Sequence, residues 1–259
     1  MIRNSLPIFL LFLSFTAVAQ HSVLPEMNNG NDIYGDYEKS QVENLYELYL
    51  HKIDPSYELI NGREYFQYYF RCQFKPILFI DRKHLSSITL KGKKYDDIYL
   101  DYDTYKDEVI YIDSTRFGIY SPLRVALNKE NVDCFELCFG NDTMTFRYFT
   151  KDKDPLFDLQ NGFYEVVLEG DSKYLIKHKS ILREMTGIDE YIYTRVGYVN
   201  IGNGFSKITT ARQSVKIFGN RSEEVKKFIK KSGIKIRKAD KSQIMCVLRY
   251  YNNIKANIN

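Results

Sequence analysis

Residues 95–113 read Tyr-Asp-Asp-Ile-Tyr-Leu-Asp-Tyr-Asp-Thr-Tyr-Lys-Asp-Glu-Val-Ile-Tyr-Ile-Asp. Apolar and polar residues alternate on both sides of a polar centre, the period of strands whose two faces meet different surroundings. The stretch predicts a strand over 97–104, a turn, and a second strand over 108–113. Asp101 and Asp103 share one face, and Asp107 and Glu108 follow in the turn. Oxygen ligands this dense can hold Ca²⁺, but the spacing is not that of an EF-hand loop and no glycine supplies its sharp turn. A hairpin with one polar face accounts for the pattern without a metal.

The same reading extends in both directions. Tyr57-Glu58-Leu59-Ile60, Asn61-Gly62 and Arg63-Glu64-Tyr65-Phe66 predict a hairpin around a favoured turn dipeptide. Further strands are expected at 76–80, 85–91, 133–139, 144–149, 163–168, 173–183 and 190–199. Lys91-Gly92-Lys93, Gly140-Asn141-Asp142, Asn161-Gly162 and Glu169-Gly170-Asp171 punctuate them. Short strands joined by tight turns favour an antiparallel sheet over βαβ units. Before them, Ser40-x-x-Glu43 is a capping box, and Val42, Leu45, Tyr46, Tyr49, Leu50 and Ile53 follow at helical spacing up to Asp54-Pro55. After Gly202-Asn203-Gly204 helices return. One is expected over 209–218, stopped by Gly219. A second spans 222–232, with Ser222 as N-cap and Gly233 as C-cap. A third starts at Asp240-x-x-Gln243 and places Ile244, Val247, Leu248 and Tyr251 on one face.

The expected fold class is therefore α+β: an antiparallel β body, sandwich- or barrel-like, with one N-terminal helix and a C-terminal basic helical module. The expected divisions are a signal peptide at 1–19, a flexible N-terminus at 20–39, a β-rich body at 40–205 and a basic helical module at 206–259. The signal peptide rests on Arg3, the uncharged core from Leu6 to Phe15, and the small-residue site Ala17-Val18-Ala19. Cleavage is expected between Ala19 and Gln20, and the apolar core is too short to span a bilayer. The mature chain is expected to lack a transmembrane helix and to reach the periplasm, the cell surface or the medium.

The chain has 22 Tyr, 17 Phe and no Trp. Tyr and Phe suit half-buried pleated surfaces, so sheet packing explains them, and the missing Trp argues against a sugar-stacking platform. Cys134 and Cys138 alternate within one strand and lie too far apart along it to pair with each other. His21, His51, His84 and His178 have no second His at metal-binding spacing, and Lys177 and Lys179 beside His178 point to a solvated face. No G-x-S-x-G elbow occurs, and Gly197 to Asn203 lacks the lysine of a phosphate loop. No cofactor, metal site or catalytic residue is assigned.

Charge is distributed unevenly. From Ser206 onward there are fourteen Lys and Arg against three acids, a net +11; the whole chain is +4, so residues 1–205 carry −7. Lys226, Lys227, Lys230 and Lys231 recur on the outward side of the 222–232 helix, with Lys235, Arg237 and Lys238 close behind. These seven are the candidate contacts to an anionic partner. In an exported chain that partner is an envelope protein or an anionic surface component, not nucleic acid. The first functional reading is a non-enzymatic envelope or secreted protein acting by protein or surface interaction. The alternative is an extracytoplasmic module binding a sugar or other small ligand, and a hydrolase ranks below both.

Three stretches, Tyr57-Glu58-Leu59-Ile60-Asn61-Gly62-Arg63-Glu64-Tyr65, Tyr102-Asp103-Thr104-Tyr105-Lys106-Asp107-Glu108-Val109, and Ser222 through Tyr250-Tyr251-Asn252, resemble a family of exported, β-rich proteins of unknown function from Bacteroidota-type Gram-negative bacteria. The resemblance covers about residues 40–252. It implies a cell-envelope setting, and it carries no activity or site residue. It also implies O-glycosylation at Ser114 and Thr143, because Asp113-Ser114-Thr115 and Asp142-Thr143-Met144 match the short sequon of such proteins.

Overall fold

The computed structural model describes residues 40–45, 57–68, 72–78, 85–118, 121–140, 142–154, 157–185, 188–208, 211–235 and 241–256. By contact the chain divides into Met1–Tyr49 and Leu50–Asn259. In the first unit residues 40–45 form a helical segment, α1, which starts at the expected Ser40. Residues 46–53 of the expected helix lie outside the described residues, as do Ala19 and Gln20.

The second unit is built on one large sheet. Its strands are β1 (Gly62–Glu64), β2 (Cys72–Gln73), β3 (Leu85–Leu90), β4 (Lys93–Asp103), β5 (Glu108–Gly118) and β6 (Ser121–Leu127), then β7 (Val132–Phe139), β8 (Asp142–Phe149), β9 (Gly162–Leu168), β10 (Lys173–Met185), β11 (Ile188–Asn200) and β12 (Phe205–Ile208). Their order across the sheet is β1-β6-β5-β4-β3-β7-β8-β9-β10-β11-β12, with β2 alone pairing parallel to β11. The neighbours along that order are antiparallel, as the alternation and turns predict. A helical turn, α2 (Tyr57–Ile60), precedes the sheet, and α3 (Ala211–Lys216), α4 (Ser222–Lys231) and α5 (Lys241–Ala256) follow it. No helix among the described residues is long and apolar enough to cross a membrane.

The β3–β4 turn shows the local logic. Lys91 and Gly92 both have positive φ, 46° and 80°. That is the pair of left-handed residues a two-residue hairpin needs to match the strand twist.

The sheet curls back on itself. β9 covers only the Tyr174–Ile176 part of one β10 edge, and further along that edge the Ser180 amide donates to the Thr104 carbonyl at 3.1 Å. Residues 76–78 lie along the end of β4: the Leu78 amide donates to the Tyr102 carbonyl and the Thr104 amide to the Pro76 carbonyl, both at 2.9 Å. With β2 on β11, residues 72–78 tie the β11 end of the sheet to β4. Backbone edges that would otherwise stand open are thereby met within the chain.

Two cores share one face of this sheet. The first, from α2 and β3 to β9, centres on Tyr102, Phe135, Phe146 and Phe163. Their rings pack tilted, edge-on or stacked, with centroids 4.7 to 6.1 Å apart, the arrangements the aromatic quadrupole favours. The second packs Tyr174, Ile176, Val199 and Ile208 against Phe218, Val225, Ile244, Val247 and Leu248 of the helical segment. The last helix buries the expected Ile244, Val247 and Leu248.

Three expectations fail here. Of the strand expected at 76–80, the described residues 76–78 show only an isolated bridge from Ile77 to Asp103. The sheet also continues past Gly202-Asn203-Gly204 into β12 before the helices begin. Residues 57–66 are not a hairpin: 57–60 is helical, Leu59 is buried in the first core, and Gly62–Glu64 pairs with Val125–Leu127 of β6. The partner strand is hidden in the sequence because Pro122 demotes it. It sits where β6 pairs only with β5, so its missing N–H leaves no ladder gap on the β1 side. Gly62 is needed for close approach and not for the tight turn: a Cβ there would meet the Ala126 carbonyl oxygen at 2.5 Å and Val125 Cγ1 at 2.7 Å. Gly62→Ala should therefore lower stability by about 1–3 kcal/mol, the cost of overpacking. Urea unfolding of the two proteins checks this, and an unchanged midpoint would remove the close-approach role.

Candidate functional site

Two features stand out: a string of buried polar groups in the sheet, and the basic surface of the helices. The first begins with the alternation of β10. Tyr174, Ile176, His178 and Ser180 all point into the protein. The solvated face expected for His178 is thus reversed: it is 1 % exposed. Glu165 on β9, registered opposite Ile176 and diagonal to His178, is also 1 % exposed. Phe163 and Val167 flank Glu165 on its face of β9 and belong to the first and second cores respectively. Glu165 therefore sits at the seam between the cores.

Glu165 Oε2 lies 3.0 Å from His178 Nε2, and Lys241 Nζ donates to Oε1 at 2.6 Å. His178 Nδ1 lies 2.5 Å from the Tyr193 hydroxyl. Burial pushes the His178 pKa down against the pull of Glu165, so the imidazole is neutral. A carboxylate can only accept, so Nε2 carries the proton and Nδ1 accepts from Tyr193. Burial alone would raise the Glu165 pKa. The hydrogen bonds from His178 and Lys241, with the Lys241 charge, outweigh it and hold the carboxyl below its usual range. Burial raises the Tyr193 pKa, and although the residue is 43 % exposed its hydroxyl stays a donor to His178.

The β4–β5 turn carries a second polar set. Asp103 is fully buried. Its Oδ1 accepts the amides of Tyr105 and Lys106, both at 2.9 Å, and its Oδ2 accepts the hydroxyls of Tyr65 at 2.8 Å and Tyr68 at 2.6 Å. Asp107 Oδ1 accepts from Tyr102 at 2.5 Å and from Lys177 at 2.7 Å. Burial pushes the Lys177 ammonium pKa down, against the pull of Asp107. This pair crosses over Gly162, whose φ is +150°. A Cβ there would come within 2.5 Å of Lys177 Nζ and nearer still to Asp107 Oδ2. Asp101 pairs with Arg124 at 2.8 Å and Glu108 with Arg63 at 2.9 Å. The four carboxylates singled out in the sequence thus go to four different sets of partners. No group of three or more His, Cys, Asp or Glu among the described residues is placed to hold a metal ion. The phenols donate inward and the carboxylates accept, which is the chemistry of a satisfied interior.

The helical segment has a different character. α3 stops before Gly219, whose φ is +50°. A 3₁₀ turn over Gly219–Arg221 runs straight into α4, so Ser222 is inside the helix and not its N-cap, and Arg221 holds that position without a side-chain bond. At the other end Ser232 and not Gly233 is the C-cap, and Gly233, with φ +65°, is the left-handed residue just after it. The Ile234 amide donates to the Ile229 carbonyl at 3.2 Å and the Gly233 amide to the Lys230 carbonyl at 3.4 Å. This is a Schellman ending, which brings the side chains of Ile229 and Ile234 together. Val225 is buried, and Phe228 stacks on Tyr250 of α5 with ring centroids 4.0 Å apart. The opposite face is left to charge: Lys226, Lys227, Lys230, Lys231 and Lys235 are all exposed. A cleft between α3 and α4 gathers three of them, Lys226, Lys230 and Lys235, with Lys216, which the sequence reading passed over.

Of the remaining expected site residues, Arg237 and Lys238 lie outside the described residues. Ser114 falls within β5, not beside a turn, and its side chain is also outside them. Thr143 is exposed at the start of β8, and its hydroxyl lies 3.8 Å from Cys138 Sγ. No family model, curated protein or solved structure matches this chain.

The buried chain makes stability depend on pH. Below about pH 6.5 the unfolded His178 takes up a proton that the folded one resists, so stability falls as pH falls. Below about pH 4.5 the unfolded Glu165 protonates while the folded carboxylate does not, and its contribution is lost as pH drops through the lowered folded value. The urea midpoint should be lower at about pH 5 than at about pH 7.5, and His178→Gln should flatten that difference. An equal slope in the variant would show that His178 does not titrate on unfolding.

Proposed function

We propose that this is an exported envelope or secreted protein that acts by contact with an anionic surface component, through the basic face of its C-terminal helices, and not by catalysis. The observation that carries this reading is the four-lysine face of α4, Lys226, Lys227, Lys230 and Lys231. All four are exposed while Val225, Phe228 and Ile229 turn towards α5 and the sheet. Ion pairing leaves most of that charge available: within the helix, Lys226 pairs with Glu223 at 3.3 Å. Export is supported by the signal-like residues 1–19, and the envelope setting by the family resemblance. A second reading, an extracytoplasmic small-ligand module, is supported by the α3–α4 cleft.

Several weak exposed contacts act together in such a surface, and added salt weakens them by shortening the Debye length from about 10 Å at 0.1 M. The protein should therefore associate with isolated envelope at low salt and be released as salt rises. The variant with Lys226, Lys227, Lys230 and Lys231 all changed to Gln should fold normally and fractionate as unbound. If it binds envelope as the parent does at every salt concentration, the lysines only solubilise the helix.

A further inference from the structure

The cleft between α3 and α4 has a volume of about 710 Å³, within the range of small-molecule sites. Its composition is unlike that of a plain basic patch. Val215, Ile229 and Ile234 are half-buried and form its floor. Lys216, Lys226, Lys230 and Lys235 are exposed and stand around it, with Glu223 the one acid among the lining residues. Glu223 is engaged by Lys226, while Lys216, Lys230 and Lys235 form no ion pair with a described residue. Two backbone features create the floor: the 3₁₀ turn that carries the chain from α3 into α4, and the Schellman ending that folds Ile234 back onto Ile229.

A free inorganic anion would satisfy the lysines and leave the apolar floor in water. A neutral apolar ligand would fill the floor and leave the charge unanswered. We propose that the cleft binds a single-chain anionic amphiphile. Its alkyl or acyl chain lies on Val215, Ile229 and Ile234, and its acidic head, a phosphate or carboxylate, sits among Lys216, Lys226, Lys230 and Lys235. This rests on reading the basic module as an anion-contacting surface, and it adds that the anion carries an apolar tail.

The test is titration calorimetry of the full chain with octyl, decyl and dodecyl phosphate below their micelle concentrations, alongside inorganic phosphate and dodecyl maltoside. Each methylene taken up by the floor should tighten Kd by about fourfold until the cleft is full. Inorganic phosphate and the neutral maltoside should bind at least about tenfold more weakly than dodecyl phosphate. Lys216→Gln with Lys230→Gln should weaken dodecyl phosphate by a similar factor, and Val215→Trp should block it by filling the floor. Lys151→Gln with Lys179→Gln, exposed in the β body and outside the cleft lining, should leave it unchanged. Chain-length independence, equal binding of inorganic phosphate or of the maltoside, or equal loss in the two double-lysine variants overturns the cleft site. Those results leave the salt-sensitive envelope association as a separate question, since a diffuse lysine surface predicts it without a cleft. Where Val215→Trp fails to fold, the chain-length series on the unaltered protein decides the matter.

Discussion

Glu165 is a carboxylate at the seam of two hydrophobic cores, and much of the architecture is arranged to keep it charged there. An isolated carboxylate in such a place would be costly enough to neutralise itself. Glu165 avoids that by accepting from two directions, His178 within the sheet and Lys241 at the start of α5. One donor belongs to the body and the other to the helical module. The same bonds that solve the burial problem therefore fasten the two together, beside the apolar packing of Tyr174 and Ile176 against Ile244, Val247 and Leu248. Partial loss of such a network leaves a buried polar group unmet, so its members stand or fall together.

This fastening gives the helical module a fixed geometry. α5 is held on the sheet, α4 is held on α5 by Phe228 against Tyr250, and Phe218 meets Tyr251 at 5.0 Å just after α3. With the apolar faces committed inward, the lysines of α4 are left outward and the gap between α3 and α4 keeps its shape. The exposed lysines of α4, with Lys216 and Lys235, then form one charged face on packed helices. A preorganised surface loses less conformational freedom on binding than a flexible one.

The parts of this architecture that depend on local pattern were legible in the sequence. Alternation at 97–113 fixes the β4–β5 hairpin, and the glycines at 92, 219 and 233 fall where φ is positive. The parts that depend on distant partners were not. Residues 57–60 have the composition of a strand, yet they turn helical because β6, far along the chain, takes the pairing of 62–64. His178 lies between two lysines, which locally signals solvent. Only the β9 and α5 neighbours, Glu165 and Lys241, reveal why it is buried. The exposed lysines of α4 follow from helical spacing, whereas the cleft needed α3 and Lys216 to be placed beside them.

The central claim is that Glu165 fastens the module to the body. Hydrogen–deuterium exchange of Glu165→Leu against the parent protein addresses it most directly, because it resolves local opening from global unfolding. Losing charge-assisted bonds of this kind should cost about 1.5–3 kcal/mol each. Amides of Lys241–Ala256 should then exchange about ten- to a hundredfold faster, while those of β3–β8 keep their protection. Unchanged exchange in α5, or equal acceleration through β3–β8, would contradict the account.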